Sequence, residues 1–139
     1  MTARLKGSCL CGSIKFTTGQ IHHLDVCHCL MCQRWTGGPF IGADYRNGDV
    51  VLTKDDTLKW YASSDWAKRG FCSECGSSLF YRLNDNPEFW AVCAGALEMP
   101  NNINISKEIF IDEKPGYYDL SGDRERLTGP EFLAQLQGQ

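Results

Sequence analysis

The cysteines of this chain are grouped, and the grouping is the first sign of chemistry. In order they form Cys9-Leu10-Cys11, then Cys27-His28-Cys29-Leu30-Met31-Cys32, then Cys72-Ser73-Glu74-Cys75, with Cys93 alone. A Cys-x-x-Cys pair followed by Gly76 suits a zinc knuckle, because the turn sends both sulfurs to one point and glycine tolerates the backbone beyond it. Cys9-Leu10-Cys11-Gly12 is a shorter version of the same device. A structural zinc needs four ligands in a closed tetrahedron, and these two doublets supply four thiolates from distant segments.

The triplet has a different stoichiometry. Cys27, Cys29 and Cys32 can hold one zinc on a single loop while leaving its fourth position for water or a ligand, the arrangement of a catalytic zinc. Three thiolates on a divalent ion leave such a site at a formal charge of about −1, which favours activation of a substrate sulfur over activation of water. Three other uses of the cysteines stay open. A redox disulfide at Cys72/Cys75 would want a helix opening in a βαβ unit. An iron–sulfur cluster fits the Cys-x-Cys spacings less well. The triplet could also be a second structural zinc site, completed by a ligand from elsewhere in the chain.

Short strands must position these groups. β-branched and aromatic runs between turn residues predict strands over Gly12–Thr18, Pro39–Tyr45, Val50–Thr53, Leu58–Ala62, Ser77–Arg82 and Glu88–Ala96, with a weaker one over Ser106–Ile111. Turn-favouring clusters separate them at Arg46–Asp49, Asn84–Pro87 and Met99–Asn102. Helix signal is nearly confined to the end, where Thr128 stands three residues before Glu131 as a capping box, ahead of Phe132, Leu133 and Leu136. That helix is expected to pack its apolar stripe on the sheet and to carry no chemistry.

Size and composition bound the rest. At 139 residues, 42% hydrophobic and 22% charged, the whole chain reads as one zinc-binding domain. The 8 cysteines are about 6% of it, below the level of a disulfide scaffold. No apolar stretch follows the basic residues of MTARLKGSC, so no secretory signal is read and a cytoplasmic location is expected. Reduced thiols then favour metal binding or catalysis over disulfides. The stretch Phe89–Met99 is about half of what a membrane span requires. A formal charge of −3 without a basic run argues against a nucleic-acid partner. Two zinc ions on seven thiolates would take the charge to about −6.

GSCLCGSIKF, CHCLMCQRWTGG, FCSECGSSLFYR, AGALEMP and EIFIDEKPGYYDLSGD together resemble the glutathione-dependent formaldehyde-activating enzyme family, which includes centromere protein V-like proteins. The resemblance runs from about Gly7 to about Asp123. It implies an all-β, Mss4-like fold of several small twisted sheets around a structural zinc. It also implies structural ligands at Cys9, Cys11, Cys72 and Cys75, and a catalytic-type zinc at Cys27, Cys29 and Cys32. The implied activity is that of a carbon–sulfur lyase on thiol–aldehyde adducts, with a small thiol such as glutathione and an aldehyde such as formaldehyde as its partners. The alternative is a zinc-stabilised binding module of the same fold without turnover. The late segment departs from the family pattern: Glu108-Ile109 stands where the family often carries His, and Tyr117 or Tyr118 where it carries Trp.

Other residues near the motifs have two readings each. Arg34 could pair with a substrate carboxylate or simply offset thiolate charge. Gly37 and Gly38 allow close approach or serve a turn. His28, framed by two ligands in an extended chain, is expected to point away from the metal. Trp35, Phe40, Trp60, Trp66 and Trp90 could line a pocket but are expected in the core, and Cys93 is expected to be buried as a small hydrophobe.

Overall fold

The structure is a computed structural model and describes residues 3–137. In chain order its elements are β1 (Leu5–Ser8), β2 (Lys15–Thr18), β3 (His23–Cys27), α1 (Leu30–Thr36), β4 (Phe40–Tyr45), β5 (Val50–Lys54) and β6 (Leu58–Ala62). They continue with β7 (Ala67–Cys72), β8 (Ser78–Leu83), β9 (Asn86–Cys93), β10 (Asn104–Ile109), β11 (Glu125–Leu127) and α2 (Gly129–Gln137). Short 3-10 turns lie at Ala94–Ala96 and Ile111–Glu113.

The all-β expectation holds. One antiparallel sheet has the order β1-β2-β5, and a larger one the order β11-β10-β3-β4-β9-β8-β7-β6. In the larger sheet β10 runs parallel to both of its neighbours, β3 and β11, and the remaining pairs are antiparallel. A bridge between Gly7 and Leu97, with Glu98 N donating to Lys6 O at 2.8 Å, ties the small sheet to the chain beyond β9.

Side-chain alternation explains how the sheets meet. In β1 and β2, Leu5 and Phe16 turn inward while Lys6 and Lys15 face solvent. Phe16 packs edge-on against Phe80 at 4.9 Å between ring centroids, and Phe80 meets Trp90 at 5.2 Å. Ile14, Leu79 and Val92 fill the same core, which also contains Cys9 and Cys72. A second, smaller core surrounds Cys32, Phe40 and Ala91. The two cysteine groups of the sequence thus fall in two different cores.

The predicted strands are found with shifted ends. Gly12 and Ser13 belong to a turn, so β2 begins at Lys15, and Ala94–Ala96 leaves the sheet as a 3-10 turn. β1, β3, β7 and β11 carry weak local signals. β3, with the sequence HLDVC, is a strand because β4 and β10 pair with it on both edges. α1 is the larger correction, since the helix signal of the sequence is nearly confined to the end of the chain. Its residues Leu30, Met31, Gln33 and Arg34 are good helix formers, but seven residues are too few to show a period.

Candidate metal centres

The first centre joins the two sheets. Cys9 and Cys11 lie in the turn between β1 and β2, Cys72 ends β7, and Cys75 lies in the turn before β8. Their four Sγ atoms all lie within 4.8 Å of one another. Cys9 to Cys11 is 3.7 Å and Cys11 to Cys72 is 3.8 Å. A zinc–sulfur bond of about 2.3 Å gives a tetrahedron edge of about 3.8 Å, so the spacing fits the ion.

Local backbone geometry produces that convergence. Gly76 N donates to Cys72 O at 2.8 Å, and Gly12 N to Cys9 O at 3.3 Å. Both glycines adopt positive φ, 81° at Gly12 and 79° at Gly76, where a side chain would be strained. Amides are aimed at the sulfurs: Ile14 N lies 3.2 Å from Cys9 Sγ and Cys75 N 3.5 Å from Cys72 Sγ. The hydroxyls of Ser13, Thr57 and Ser77 stand 3.2, 3.3 and 3.2 Å from the sulfurs of Cys11, Cys72 and Cys75. The Ser77 hydroxyl brings Cys75 down to about 5, and the Thr57 hydroxyl lowers Cys72, whereas burial raises Cys9.

The second centre lies where β3 runs into α1. Cys27 ends the strand, Cys29 is the helix N-cap, and Cys32 faces inward from the first turn. The three Sγ atoms also lie within 4.8 Å of one another, and among the described residues no other His, Cys, Asp or Glu joins the group. Cys32 N points at Cys29 Sγ from 3.4 Å. Hydrogen bonds from Cys27 and Cys32 concentrate negative charge on Cys29, which falls to about 2, while Cys27 is pushed far up by the same bonding. Cys32 is buried, and Cys27 and Cys29 are half-buried. The chemistry of this donor set suits a soft or borderline divalent ion.

The guanidinium at this centre is Arg69 of β7, which sequence reasoning missed. It is 4% exposed. Its Nη1 lies 3.5 Å from Cys32 Sγ, and its Nε donates to Ser63 Oγ at 3.3 Å. The rings of Trp35 and Tyr81 each stand 5.0 Å from its carbon. Only the neighbouring Phe71-Cys72 motif could have flagged it, since its place beside the triplet depends on the pairing of β7 with β6 and β8, one strand in from the sheet edge. Arg34, the candidate substrate contact, lies exposed on α1.

The remaining candidates divide between the two cores. Trp60 and Trp90 pack in the main core, Trp35 and Phe40 line the triplet, and Trp66 is 54% exposed. Cys93 is half-buried beside the triplet core, and burial raises its thiol. His28 is fully buried. Its Nε2 lies 2.8 Å from Glu108 Oε1 and its Nδ1 2.7 Å from Tyr118 Oη, so both ring nitrogens are engaged away from the sulfurs. Glu108 Oε2 in turn accepts from Arg124 at 2.6 Å and Arg126 at 2.9 Å. Among the described residues, no helix is long and apolar enough to cross a membrane.

A protein described as an uncharacterized lyase from Schizosaccharomyces pombe is 28% identical over 132 residues, covering 94% of this chain and 96% of its own. A Halomonas elongata protein, provisionally named a glutathione-dependent formaldehyde-activating enzyme, is 26% identical, covering 84% of this chain and 80% of its own. The crystal structure of a Rhodobacter sphaeroides protein superposes with a TM-score of 0.59 at 26% identity, covering 73% of this chain and 99% of its own. The sequence profile described as glutathione-dependent formaldehyde-activating enzyme matches residues 4–113, both cysteine centres included. The chain therefore belongs to the glutathione-dependent formaldehyde-activating enzyme family.

Proposed function

We propose that the chain is a zinc-dependent carbon–sulfur lyase that makes or breaks thiol–aldehyde adducts, with glutathione and formaldehyde or a related pair, at Cys27, Cys29 and Cys32. The observation that carries this reading is the contrast between the centres: four convergent sulfurs in one, three in the other with no further protein donor among the described residues. The quartet then has the structural role and the triplet the working one. Zinc at the triplet would supply a positive centre at which a substrate thiol ionises near neutral pH.

The protein's own residues shape the reaction. Three thiolates and a divalent ion carry about −1, and the Arg69 charge at Cys32 brings the group to about zero before a substrate thiolate adds its own. Trp35, Phe40 and Tyr81 form an apolar wall that keeps water from the sulfurs, while the half-buried Cys27 and Cys29 leave a side open. In the forward direction the substrate thiol releases its proton, its sulfur forms a bond to the carbonyl carbon, the carbonyl π pair moves to oxygen, and that oxygen takes up one proton in place of the one released, giving the hydroxymethyl thioether with no net proton change. Cleavage is the reverse. The same reading takes residues 1–139 as one zinc-binding domain working in the cytoplasm.

The test is exchange spectroscopy with ¹³C-formaldehyde and glutathione. Catalytic amounts of protein should speed exchange between hydrated formaldehyde and the adduct, and a panel of thiols and aldehydes should rank the true pair. A protein that holds both metals yet leaves every exchange rate at its uncatalysed value would instead be a binding module.

A further inference from the structure

Taking the triplet as a metal site, as proposed above, we infer that the chain from Glu108 at the end of β10 onward is a strap that positions it, with Tyr118 and Glu108 acting on His28 as positioning residues. His28 stands between two candidate ligands, so any rotation of its backbone carries Cys27 and Cys29 with it. It is fixed at three points: its amide donates to Ile109 O at 3.1 Å, and its two ring nitrogens meet Glu108 and Tyr118. A carboxylate only accepts, so Nε2 carries the proton of the Glu108 bond. Glu108, itself 1% exposed, is locked in turn by Arg124 and Arg126.

The strap reaches α1 as well. Phe110 adopts φ 56°, a left-handed conformation that a bulky side chain holds only where its surroundings impose it. It turns the chain into Ile111–Glu113. There Glu113 Oε1 accepts from Leu30 N at 2.9 Å and Glu113 O from Gln33 Nε2 at 2.9 Å, while the same Gln33 amide binds His28 O at 2.7 Å. Lys114 donates to Tyr118 O and pairs with Asp119 at 2.9 Å, holding the loop that presents the phenol. Every residue from His28 to Gln33 that bonds the strap is next to, or one turn from, a triplet cysteine.

A ligand set already held in place loses less freedom when metal arrives, so docking of the strap and loading of the triplet must favour each other reciprocally. The strap, from Glu108 to Arg126, is a contribution of the chain's later segment to a site whose sulfurs lie far upstream.

The test is zinc competition against a chromophoric chelator, with Cys29→Ser used to assign which phase belongs to the triplet. Tyr118→Phe removes one hydroxyl and keeps the ring. It should weaken the triplet about 3- to 10-fold, the range of one hydrogen bond, and leave the quartet unchanged. Amide hydrogen exchange over residues 114–122 should slow when the triplet is loaded, and should ignore metal in Cys29→Ser. Wild-type triplet affinity in Tyr118→Phe, equal weakening of both sites, or exchange that does not respond to metal would each overturn the strap's role. A wild-type protein that binds no metal at the triplet would instead overturn the functional reading on which it rests.

Discussion

The guanidinium of Arg69 lies 3.5 Å from the sulfur of Cys32, with its carbon 5.0 Å from the ring centroid of Trp35 and 5.0 Å from that of Tyr81. A buried cation beside three thiols offsets the charge that a substrate thiolate would add, and it does so where water is scarce. Arg69→Gln should therefore raise the KM for the thiol about 10-fold or more, on the scale of a charge-assisted hydrogen bond, with Arg69→Lys intermediate because it keeps charge but loses the stacking. Steady-state kinetics against thiol concentration checks this; a KM unchanged in Arg69→Gln would remove the guanidinium from substrate binding.

The two centres should fail differently. The quartet ties the β1–β2 turn to the β7–β8 turn, and so one sheet to the other, whereas the triplet sits at the end of one strand. Cys75→Ser should cost the fold its cooperative thermal transition. Cys29→Ser should melt within about 4 °C of wild type, a shift of about 1 kcal/mol for a chain this size. Calorimetry with metal analysis on both variants decides it.

Two carboxyl groups should give opposite pH dependences. Burial, together with the charge of Asp25, raises Asp44 to about 7. Because its folded value exceeds the unfolded value of about 3.9, its contribution to stability should decline as pH rises from about 4 to 7. Asp44→Asn should remove that decline, and is expected to be more stable than wild type at pH 8. Glu108 goes the other way: burial opposes its ionisation, but Arg124 and His28 outweigh it and hold the carboxyl below its usual range. Its contribution is complete above about 4.3 and is lost as pH falls through the lowered folded value. Urea denaturation as a function of pH separates the two.

At the far end of the chain, Thr128 N donates to Glu131 Oε1 at 2.8 Å and Glu131 N to Thr128 Oγ1 at 3.2 Å. Thr128→Ala should cost about 1 kcal/mol in chemical denaturation without touching metal content at either centre.

That reciprocal cap was legible in the sequence because its rule is local: a Thr, a Glu three residues later, and an apolar run. The same holds for the cysteine doublets, whose spacing and following glycines encode a turn geometry that the structure reproduces. What could not be read depends on partners far along the chain. Arg69 reaches Cys32 across 37 positions, and Tyr118 reaches His28 across 90. Their roles come from strand order, which no local pattern carries. His28 lies between these cases. Alternation along an extended chain correctly turns it from the sulfurs, but only the pairing of β3 with β10 shows that Glu108 waits on the other side. α1 was hidden because seven residues carry no period, and its cap is a cysteine, a residue read as a ligand.

Catalysis at the triplet is tested most directly by formaldehyde–thiol exchange followed during a zinc titration of the metal-free protein. The quartet should fill first and bring no activity, and exchange should rise only as the weaker triplet fills, with Cys29→Ser flat throughout. Exchange complete when only the quartet is filled, or absent when both centres are full, would contradict it.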